Sequence, residues 1–462
     1  MVDPSVTAPE TGTDSSVWVA ERAQLNTQHV ETIPFSALSG WDFDPGTGDL
    51  RHHTGRFFSV RGLRVRGAGE GAVPEWWQPV IDQPEIGVLG ILAKRFDGVR
   101  HFLMQAKVEP GNVNGVQLSP TVQATRSNYT RVHRGTPVAY LEYFAGHRGR
   151  VLVDVLQSEQ GSWFLRKRNR NMIVETDAEV PVHEDFRWFT LDEIRTLLRR
   201  DNMVNMDART VLSCLPGSHG ATARAGGASG AGQAFTASLA ALSPAAGSAH
   251  SMTEVLSWFT EAKAWYGLTA GVVPLTGLPG WHRTSTEIAH DEGGYFRIIA
   301  VDVTAPHREV PRWTQPMLAP TSRGLLALLY RTIGDVPHFL VQARAQQGSL
   351  DALEIGPTVQ CSPDRYRELP PEDRPPYLDH TLTLAARSPD RIRYDHVQSE
   401  EGGRFFAAEN RYLVAEVEAD FPVEAPSRFC WVTLGQLKEL LRHSYYLNIE
   451  ARTLVACVES LG

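Results

Sequence analysis

Short apolar runs separated by turn residues follow one another between residues 86 and 174. They are rich in Val, Ile, Leu and Phe, and Gly, Pro or Asn turns such as Pro110-Gly111-Asn112 lie between them. This pattern predicts the strands of one mixed sheet. The predicted strands are Ile86–Ala93, His101–Lys107, Val116–Thr125, Val151–Gln157 and Trp163–Val174.

Helical periodicity follows the predicted strands. Apolar residues recur at helical spacing over Leu191–Arg200, and Thr190 with Glu193 has the spacing of a capping box. A second helix is predicted to start near Asp207. Strands followed by terminal helices indicate an α+β domain, with one mixed sheet and C-terminal helices.

The same pattern returns in the second half of the chain with many of the same residues. Gln105–Gln123 recurs 237 positions later as Gln342–Gln360, and Gln157–Gly161 recurs 241 positions later as Gln398–Gly402. Solenoid units span roughly 20 to 50 residues, so each of these much longer copies is expected to be a whole domain. The sequence therefore predicts two tandem domains that arose by internal duplication.

Composition divides the chain into four parts. Residues 1–17 are rich in Pro, Thr, Ser and acidic residues, which predicts a disordered tail. The two copies occupy residues 18–215 and 250–462. Between them, residues 216–249 are dominated by Gly, Ala and Ser, which predicts a flexible linker.

Charge and composition limit the classes of function. The net charge of −8 gives no indication of the basic face that nucleic-acid binding requires. No apolar run reaches the roughly 18 residues that span a membrane, the N-terminus does not resemble a signal peptide, and the four cysteines form no CxxC pair. We therefore expect a cytoplasmic protein with reduced thiols that binds neither nucleic acid nor membrane.

A face of polar side chains is predicted on the hairpin of the repeated segment, because side chains alternate between the two faces of a strand. In the first copy its residues are Gln105, Lys107, Glu109, Gln117, Ser119, Thr121 and Gln123. The second copy keeps Gln342, Arg344, Glu354, Thr358 and Gln360 at the matching places. Such a face is either the solvated side of a sheet or the floor of a binding pocket, and its retention in both copies favours the pocket.

The segment that follows this hairpin, Arg126–His133, combines cations, hydroxyl groups and an imidazole. Arginine side chains and backbone donors there suit a diphosphate, although an ordinary surface loop has the same polarity. The second copy lacks counterparts of Arg131 and His133. The first site is therefore expected to be the better equipped of the two.

A carboxylate lies at a tight turn in each copy, namely Glu159 and Glu400 within Gln-Ser-Glu. It either caps the turn or acts as a general base whose pKa rises with burial. Close by, Arg170 is favoured as an anion contact because Arg411 repeats it. Zinc-ligand spacing, a Walker-type phosphate loop and a GxSxG motif are all missing from the sequence, so no metal site is predicted.

Four stretches resemble the NDP-hexose 2,3-dehydratase family of deoxysugar biosynthesis. They read WWQPVIDQPEIGVLGIL (76–92), HFLMQAKVEPGNVNGVQLSPTVQATRSNYTRVHRG (101–135), YLEYF (140–144) and LQSEQGSWFLRKRNRNMI (156–173). The resemblance covers nearly the whole chain. It implies two tandem Nudix-like domains, a nucleotide-diphosphate-sugar pocket in each, and a homodimer.

The implied reaction removes water from an NDP-4-keto-6-deoxyglucose, typically the dTDP sugar, and yields a 3,4-diketo-2,6-dideoxy sugar. A base takes the C3 proton, an enolate develops on the C4 oxygen and the 2-hydroxyl leaves with a proton from an acid. This chemistry requires neither a redox cofactor nor a metal. The labile product implies a partner 3-ketoreductase.

The resemblance also suggests roles for individual residues. We predict Glu159 or His133 as the base and Tyr129 as the acid or enolate donor. The predicted substrate-binding residues are Gln105, Lys107, Gln117, Ser119, Thr121, Gln123, Arg126, Arg131, Arg170, Trp76 and Trp77. The cations would surround the diphosphate, and the amides would hold sugar hydroxyls or the edge of the nucleobase. One of the two tryptophans would stack on the pyrimidine; the alternative is that both are only packing residues. The predicted second pocket contains Gln342, Arg344, Gln360, Tyr377, Glu400 and Arg411.

Three functions stay open at this point: the dehydratase, a non-catalytic nucleotide-sugar binding protein and a Nudix-type hydrolase. The run of metal-binding glutamates of the Nudix hydrolase box is missing from both copies, which disfavours the hydrolase.

Overall fold

The computed structural model describes residues 14–67, 75–125, 138–146, 148–216, 235, 247–306, 310–351 and 353–462. Residues 126–133 and most of the predicted linker at 216–249 lie outside the described residues. Over the described part of the chain, eight α-helices and twenty-four strands form, and the strands make four sheets. No helix in these ranges is long and apolar enough to cross a membrane.

The elements of the first half follow the order of the predicted pattern. The strands are β1 (His29–Ile33), β2 (Trp41–Phe43), β3 (Leu50–His52), β4 (Ser59–Arg66), β5 (Glu75–Asp82), β6 (Gly87–Phe96), β7 (Val99–Val108), β8 (Val116–Ser119), β9 (Val122–Ala124), β10 (Arg150–Ser158), β11 (Arg168–Glu175) and β12 (Phe186–Thr190). The helices are α1 (Ser15–Leu25), α2 (Leu141–Ala145), α3 (Leu191–Leu198) and α4 (Met206–Ser213).

The second half repeats this series. Its strands are β13 (Thr269–Val273), β14 (Trp281–Arg283), β15 (Glu287–His290), β16 (Phe296–Thr304), β17 (Arg312–Pro320), β18 (Gly324–Ile333), β19 (Val336–Ala345), β20 (Leu353–Gly356), β21 (Val359–Cys361), β22 (Ile392–Ser399), β23 (Glu409–Glu416) and β24 (Phe429–Thr433). Its helices are α5 (Met252–Trp265), α6 (Leu378–Arg387), α7 (Leu434–Leu440) and α8 (Ile449–Glu459). Short 3-10 helices occur at Phe35–Ala37, Pro363–Tyr366, Pro371–Asp373 and Pro389–Arg391.

Each half contains one seven-stranded mixed sheet. In the first half the order is β10-β11-β6-β7-β12, with β8 on β7 and β9 on β6, and the second half has the matching order β22-β23-β18-β19-β24. One pair in each sheet, β11 with β6 and β23 with β18, is parallel. The prediction of an α+β fold with mixed sheets and two similar halves is therefore confirmed.

Some elements differ from the predicted bounds. The predicted strand Val116–Thr125 is divided into β8 and β9. At this break the Thr121 hydroxyl donates to the Leu103 carbonyl and accepts from the Leu92 N–H, so it replaces backbone partners of the ladder. Helix α1 begins at Ser15, within the predicted tail, because the Asp14 side chain accepts from the Ser16 N–H and caps it.

The halves exchange one strand each, which the sequence pattern did not indicate. Strand β1 of the first half pairs with β16 of the second, and β13 of the second half pairs with β4 of the first. Each exchange completes a five-stranded antiparallel sheet that otherwise comes from one half. The two five-stranded sheets share a hydrophobic core to which both halves contribute.

A second shared core joins the seven-stranded sheets to the terminal helices. It combines apolar residues of both halves, and α4 packs against α8 within it. Two arginines without solvent exposure, Arg209 on α4 and Arg452 on α8, lie in this region. Arg209 donates to the Ser399 carbonyl at 2.7 Å, and Arg452 donates to the Ser158 carbonyl. The repeated arginine of each half therefore holds the Gln-Ser-Glu turn of the other half.

Candidate active site

Two cavities lie at matching places, and both halves line each of them. The first cavity measures about 290 Å³ and the second cavity about 670 Å³. The first half gives the first cavity Arg56, Lys107, Glu109, Gln123, Glu159, Lys167, Asn169 and Asp207, and the second half gives it Trp313, Gln315, Glu401, Gly403 and Arg404. The second cavity contains Arg344, Gln360, Glu400, Asn410 and Glu450 of the second half, opposite Trp76, Trp77, Gln78, Gln160, Ser162 and Trp163 of the first half.

A chain of polar contacts forms the floor of the first cavity. The Lys107 ammonium lies 2.6 Å from the Gln123 amide oxygen and 2.9 Å from a Glu109 carboxylate oxygen. The Gln123 amide in turn donates to Asp207 at the start of α4. These contacts orient one ammonium group, one amide and two carboxyl groups towards the first cavity.

Glu159 is 3% exposed and lies at the end of β10, where the repeated turn begins. Its Oε1 accepts a hydrogen bond from the Asn169 amide at 2.7 Å, whereas its Oε2 accepts none from the residues that the structure describes. Burial raises the pKa of this carboxyl to about 7, although Arg452, Lys167 and Asn169 favour the charged form. A carboxyl with a pKa near neutrality can take up or release a proton during a reaction.

The second half closes the first cavity with an ordered wall. The Gln315 amide donates to the Gly403 carbonyl at 2.7 Å, and the Trp313 indole donates to the Gln315 side chain at 2.9 Å. Arg404 donates to the Gln83 side chain at 3.2 Å. Burial raises the pKa of Glu401, which belongs to the same turn, to about 8.

Glu400 occupies the place of Glu159 in the second cavity but is held more firmly. It accepts hydrogen bonds from Asn410 at 2.6 Å, from Gln160 at 2.7 Å and from the Tyr412 hydroxyl at 3.1 Å. The counterpart of Lys167 is Ala408, 241 positions later. Unlike Glu159, Glu400 therefore accepts hydrogen bonds on both carboxylate oxygens, and its cavity has an alanine in place of the Lys167 ammonium.

Three of the predicted first-site residues, Lys107, Gln123 and Glu159, meet in the first cavity. Glu109 of the predicted polar face also lines it, whereas Gln105, Gln117, Ser119 and Thr121 do not. Gln117 accepts from the Ser399 hydroxyl at 2.8 Å, and Ser119 accepts from Asn205 at 2.8 Å. Thr121 bonds to backbone groups, as described above, and Gln105 lies on β7 opposite Ser119 and Phe186. Most of this predicted face therefore stabilises the fold.

Arg170 and the two tryptophans lie elsewhere than predicted. Arg170 donates from Nε and from Nη2 to the two carboxylate oxygens of Asp154, each at 2.6 Å. Arg170 follows Asn169 on β11, so its side chain lies on the opposite face of the strand. Trp76 and Trp77 line the second cavity, because the start of β5 contacts the second half. There the Trp281 indole donates to the Trp77 carbonyl at 2.8 Å. The predicted Arg126, Tyr129, Arg131 and His133 lie outside the described residues.

Arg344, Gln360 and Glu400 of the predicted second pocket line the second cavity. Three other predicted members do not. Gln342 donates to the Pro357 carbonyl at 2.8 Å, and Arg411 forms a two-bond ion pair with Asp395 at 2.7 and 2.6 Å. Tyr377 precedes α6 and packs against Phe421 and Phe429.

Several residues of the first cavity were not among the predicted site residues, including Lys167, Asp207, Trp313, Glu401 and Arg404. The repeat contained a signal for part of this set. Trp313 and Gln315 lie 237 positions after Trp76 and Gln78, so one residue pair recurs at both cavities. The sequence did not indicate that each pair serves the cavity of the opposite half.

Asp207 also has a perturbed proton equilibrium. Burial raises its pKa to about 8, and the nearby Glu159 and Glu109 carboxyls act in the same direction. Burial lowers the pKa of the Lys167 ammonium to about 8. Such shifts are typical of sites that transfer protons. Among the described residues, no group of three or more His, Cys, Asp or Glu side chains is arranged to hold a metal ion.

Both halves build each of the two matched cavities, and buried carboxyl, amide and ammonium groups line them. These features define the class of the protein as a duplicated α+β protein equipped for acid–base chemistry. The chain belongs to the NDP-hexose 2,3-dehydratase family, whose sequence profile matches residues 13–215 and 252–458. The family resemblance of the sequence motifs is therefore confirmed.

Three curated relatives are similar to nearly the entire chain, and all are named dTDP-4-dehydro-6-deoxy-alpha-D-glucopyranose 2,3-dehydratase. The protein from Saccharopolyspora spinosa is 54% identical over 450 residues, which cover 97% of this chain and 91% of the relative. The Streptomyces violaceoruber protein is 50% identical, over 96% of both chains. The Amycolatopsis orientalis protein is 49% identical, over 97% of this chain and 90% of its own.

Proposed function

We propose that this enzyme catalyses the 2,3-dehydration of dTDP-4-dehydro-6-deoxyglucose in deoxysugar biosynthesis, and that the first cavity is its active site. The family match and the names of the three relatives support the reaction. The assignment to the first cavity rests on Glu159, whose buried Oε2 accepts no hydrogen bond from the described residues.

Glu159 is the proposed base. Its Oε1 is fixed by Asn169, so Oε2 is the oxygen available to take the C3 proton. The C4 ketone acidifies that proton, and the negative charge that develops moves to the C4 oxygen. With a pKa of about 7, the carboxyl is a stronger base than an exposed Glu while a large fraction stays ionised at neutral pH.

We propose that the two ammonium groups of the first cavity, Lys107 and Lys167, stabilise negative charge on the substrate. Donors placed where charge develops stabilise the transition state more than the substrate. Lys167 is buried near Glu159 and suits the C4 oxygen, whereas Lys107 belongs to the polar floor and suits a sugar or phosphate oxygen. Loss of the 2-hydroxyl as water leaves an enol, which tautomerises to the 3,4-diketo sugar.

A direct assay tests the reaction. The protein is incubated with dTDP-4-dehydro-6-deoxyglucose in D2O, with and without a 3-ketoreductase and NADPH. Elimination with a reducible diketo product supports the proposal. Unchanged sugar that still binds would indicate a non-catalytic nucleotide-sugar binding protein, and metal-dependent release of nucleoside monophosphate would indicate a hydrolase.

The two equivalent carboxyls provide a matched test of the site. Glu159→Gln removes the proposed base and should lower kcat by about 10²- to 10⁴-fold, the usual contribution of a general base. Glu400→Gln makes the same change in the second cavity and should alter kcat less than about tenfold. Equal loss in both variants would contradict the assignment to the first cavity.

The predicted partners and the finer fold assignment are also part of the proposal. The seven-stranded sheets with their terminal helices are proposed to be Nudix-like domains, the chain is proposed to form a homodimer, and its labile product is proposed to pass to a 3-ketoreductase. Light scattering after size-exclusion chromatography measures the oligomeric state. Loss of reducible product on delayed addition of the ketoreductase measures its lability.

A further inference from the structure

One position of the repeat carries different chemistry in the two cavities. The residue after the conserved turn glutamate of each half is Gln160 in the first half and Glu401 in the second half. Each points to the cavity of the opposite half, so Gln160 lines the second cavity and Glu401 lines the first. The amide of Gln160 donates to Glu400 at 2.7 Å, which completes the hydrogen bonds of that carboxylate.

Glu401 has one oxygen fixed and one without a partner among the described residues. Its Oε1 accepts from the Gly403 N–H at 3.0 Å, within its own turn. Its Oε2 is buried and takes part in no hydrogen bond with the described residues. Fixed on one side and unpaired on the other, the group is placed for a ligand in the first cavity.

The buried surroundings of Glu401 favour the neutral form of its carboxyl. Burial raises its pKa to about 8, Glu109 and Asp207 act in the same direction, and Arg404 and Lys107 oppose them. A carboxyl that keeps its proton near neutral pH is a hydrogen-bond donor and a general acid. Glu159, with its lower pKa of about 7, is ionised to a larger extent at neutral pH and is therefore the one of the two that can accept a proton.

We propose that Glu401, which the second half supplies, is the catalytic acid of the first cavity and protonates the departing 2-hydroxyl. This inference rests on the proposed function. The C3 proton goes to Glu159, the C2–O bond breaks, and its electron pair leaves with the oxygen. The Glu401 proton completes the water molecule, and the C2–C3 double bond takes the electrons from the enolate. The resulting enol then loses its O3 proton and gains a proton at C2.

Asp207 is the other carboxyl that could serve as the acid, and the comparison of the halves favours Glu401. Asp207 corresponds to Glu450, so both cavities keep a carboxyl at that place. Of these two positions, that of Asp207 stays a carboxyl in both cavities, whereas that of Glu401 is an amide in the second cavity. In the second cavity the amide at this position is one of the three donors to Glu400. We propose that Glu400, held by these donors, does not act as a base.

Glu401→Gln tests the inference with a substitution that the fold already accommodates at Gln160. With the natural substrate, kcat should fall by about 10²- to 10³-fold, because an acid contributes on that order. With the 2-deoxy-2-fluoro analogue the leaving fluoride needs no proton. Fluoride release by the variant should therefore stay within about threefold of the parent enzyme. Glu401→Ala should show the same selectivity.

Glu193→Gln is the matched control, because Gln436 holds the same place in the capping box of α7. It should leave both rates unchanged. Full turnover of the natural substrate by Glu401→Gln would overturn the proposal, as would equal loss of both leaving groups in variants that melt like the parent enzyme. Failure of the parent enzyme to dehydrate the natural sugar would instead overturn the proposed function.

Discussion

At the scale of single residues, the pKa values of the first cavity determine how turnover depends on pH. Glu159 must be ionised to remove a proton, so activity should rise with pH through about 7. Lys167 and Glu401 must be protonated to donate, so activity should fall as pH passes about 8. We expect a narrow bell-shaped profile of kcat, measured with the coupled ketoreductase assay. A flat profile between pH 6 and 9 would contradict these roles.

Asn169 provides a second test of the Glu159 environment. Its amide donates to the carboxylate, so Asn169→Ala should raise the pKa of Glu159 and move the acid limb to higher pH. A hydrogen bond to a charged group contributes about 1.5 kcal/mol, which corresponds to a shift of about one pH unit. Asn410→Ala removes the equivalent bond to Glu400 and should leave the limb in place. The pH–rate profile of each variant provides the measurement.

The sequence predicted part of this residue set for a clear reason. Lys107, Gln123 and Glu159 were found because both halves keep polar groups at those positions, and strand periodicity placed Lys107 and Gln123 on one face. Arg170 was repeated for a different reason, since it forms the same ion pair with Asp154 as Arg411 does with Asp395. Repetition therefore identified retained interactions, but did not distinguish a ligand contact from a structural one.

At the scale of elements, the turns of the two halves interlock beside the cavities. The Gly111 N–H donates to the Gly402 carbonyl at 2.7 Å, and the Gly111 carbonyl accepts from Ala407 at 3.0 Å. The equivalent Gly348 N–H donates to the Gly161 carbonyl at 2.6 Å. A Cβ on Gly111 would lie 1.7 Å from the Phe405 carbonyl oxygen, which explains the glycine at this position.

Gly111→Ala should therefore force the two turns apart. Overpacking typically costs about 1–3 kcal/mol, so the free energy of unfolding should fall by about that amount, and turnover should fall with it. Gly271→Ala is the control, because a Cβ there meets no atom within 4 Å. Denaturant titration of both variants measures the difference. Equal stability of the two would show that the turns do not depend on this close approach.

Element prediction succeeded where hydrophobic pattern and local contacts agree. The α3 helix has the predicted capping box, and each apolar run between 86 and 174 contains a strand. The five-stranded sheets were missed because β2 and β3 have only three residues each, and because β1 contains polar residues. Short strands of this kind are stabilised by partners distant in sequence, which periodicity does not reveal.

At the scale of the whole molecule, the exchanged strands bind the halves to each other. Each five-stranded sheet needs a strand from the opposite half, and both cavities have walls from both halves. A protease site inserted into the predicted linker at 216–249 should therefore leave the cleaved halves associated and active. Native size-exclusion chromatography before and after cleavage measures this. Separation of the halves without denaturant would contradict it.

The large-scale arrangement was the least predictable from the sequence. The duplication and the composition of residues 216–249 are visible in the chain, but the choice of partner for β1 or β13 is not. Both strands belong to the same place in the repeat and would fit either sheet by pattern alone. Pairing across the halves depends on the shared cores, and these appear only once the sheets are assembled.

The strand exchange also bears on the ancestry of the protein. The halves are related as the subunits of a domain-swapped homodimer would be, joined here in one gene. In a dimer of identical subunits, a mutation of the residue that follows the turn glutamate would change both cavities at once. Fusion of two copies removes that constraint, so one copy can have Gln160 where the other has Glu401. Duplication within one chain thus allowed two sites of common origin to acquire different residues.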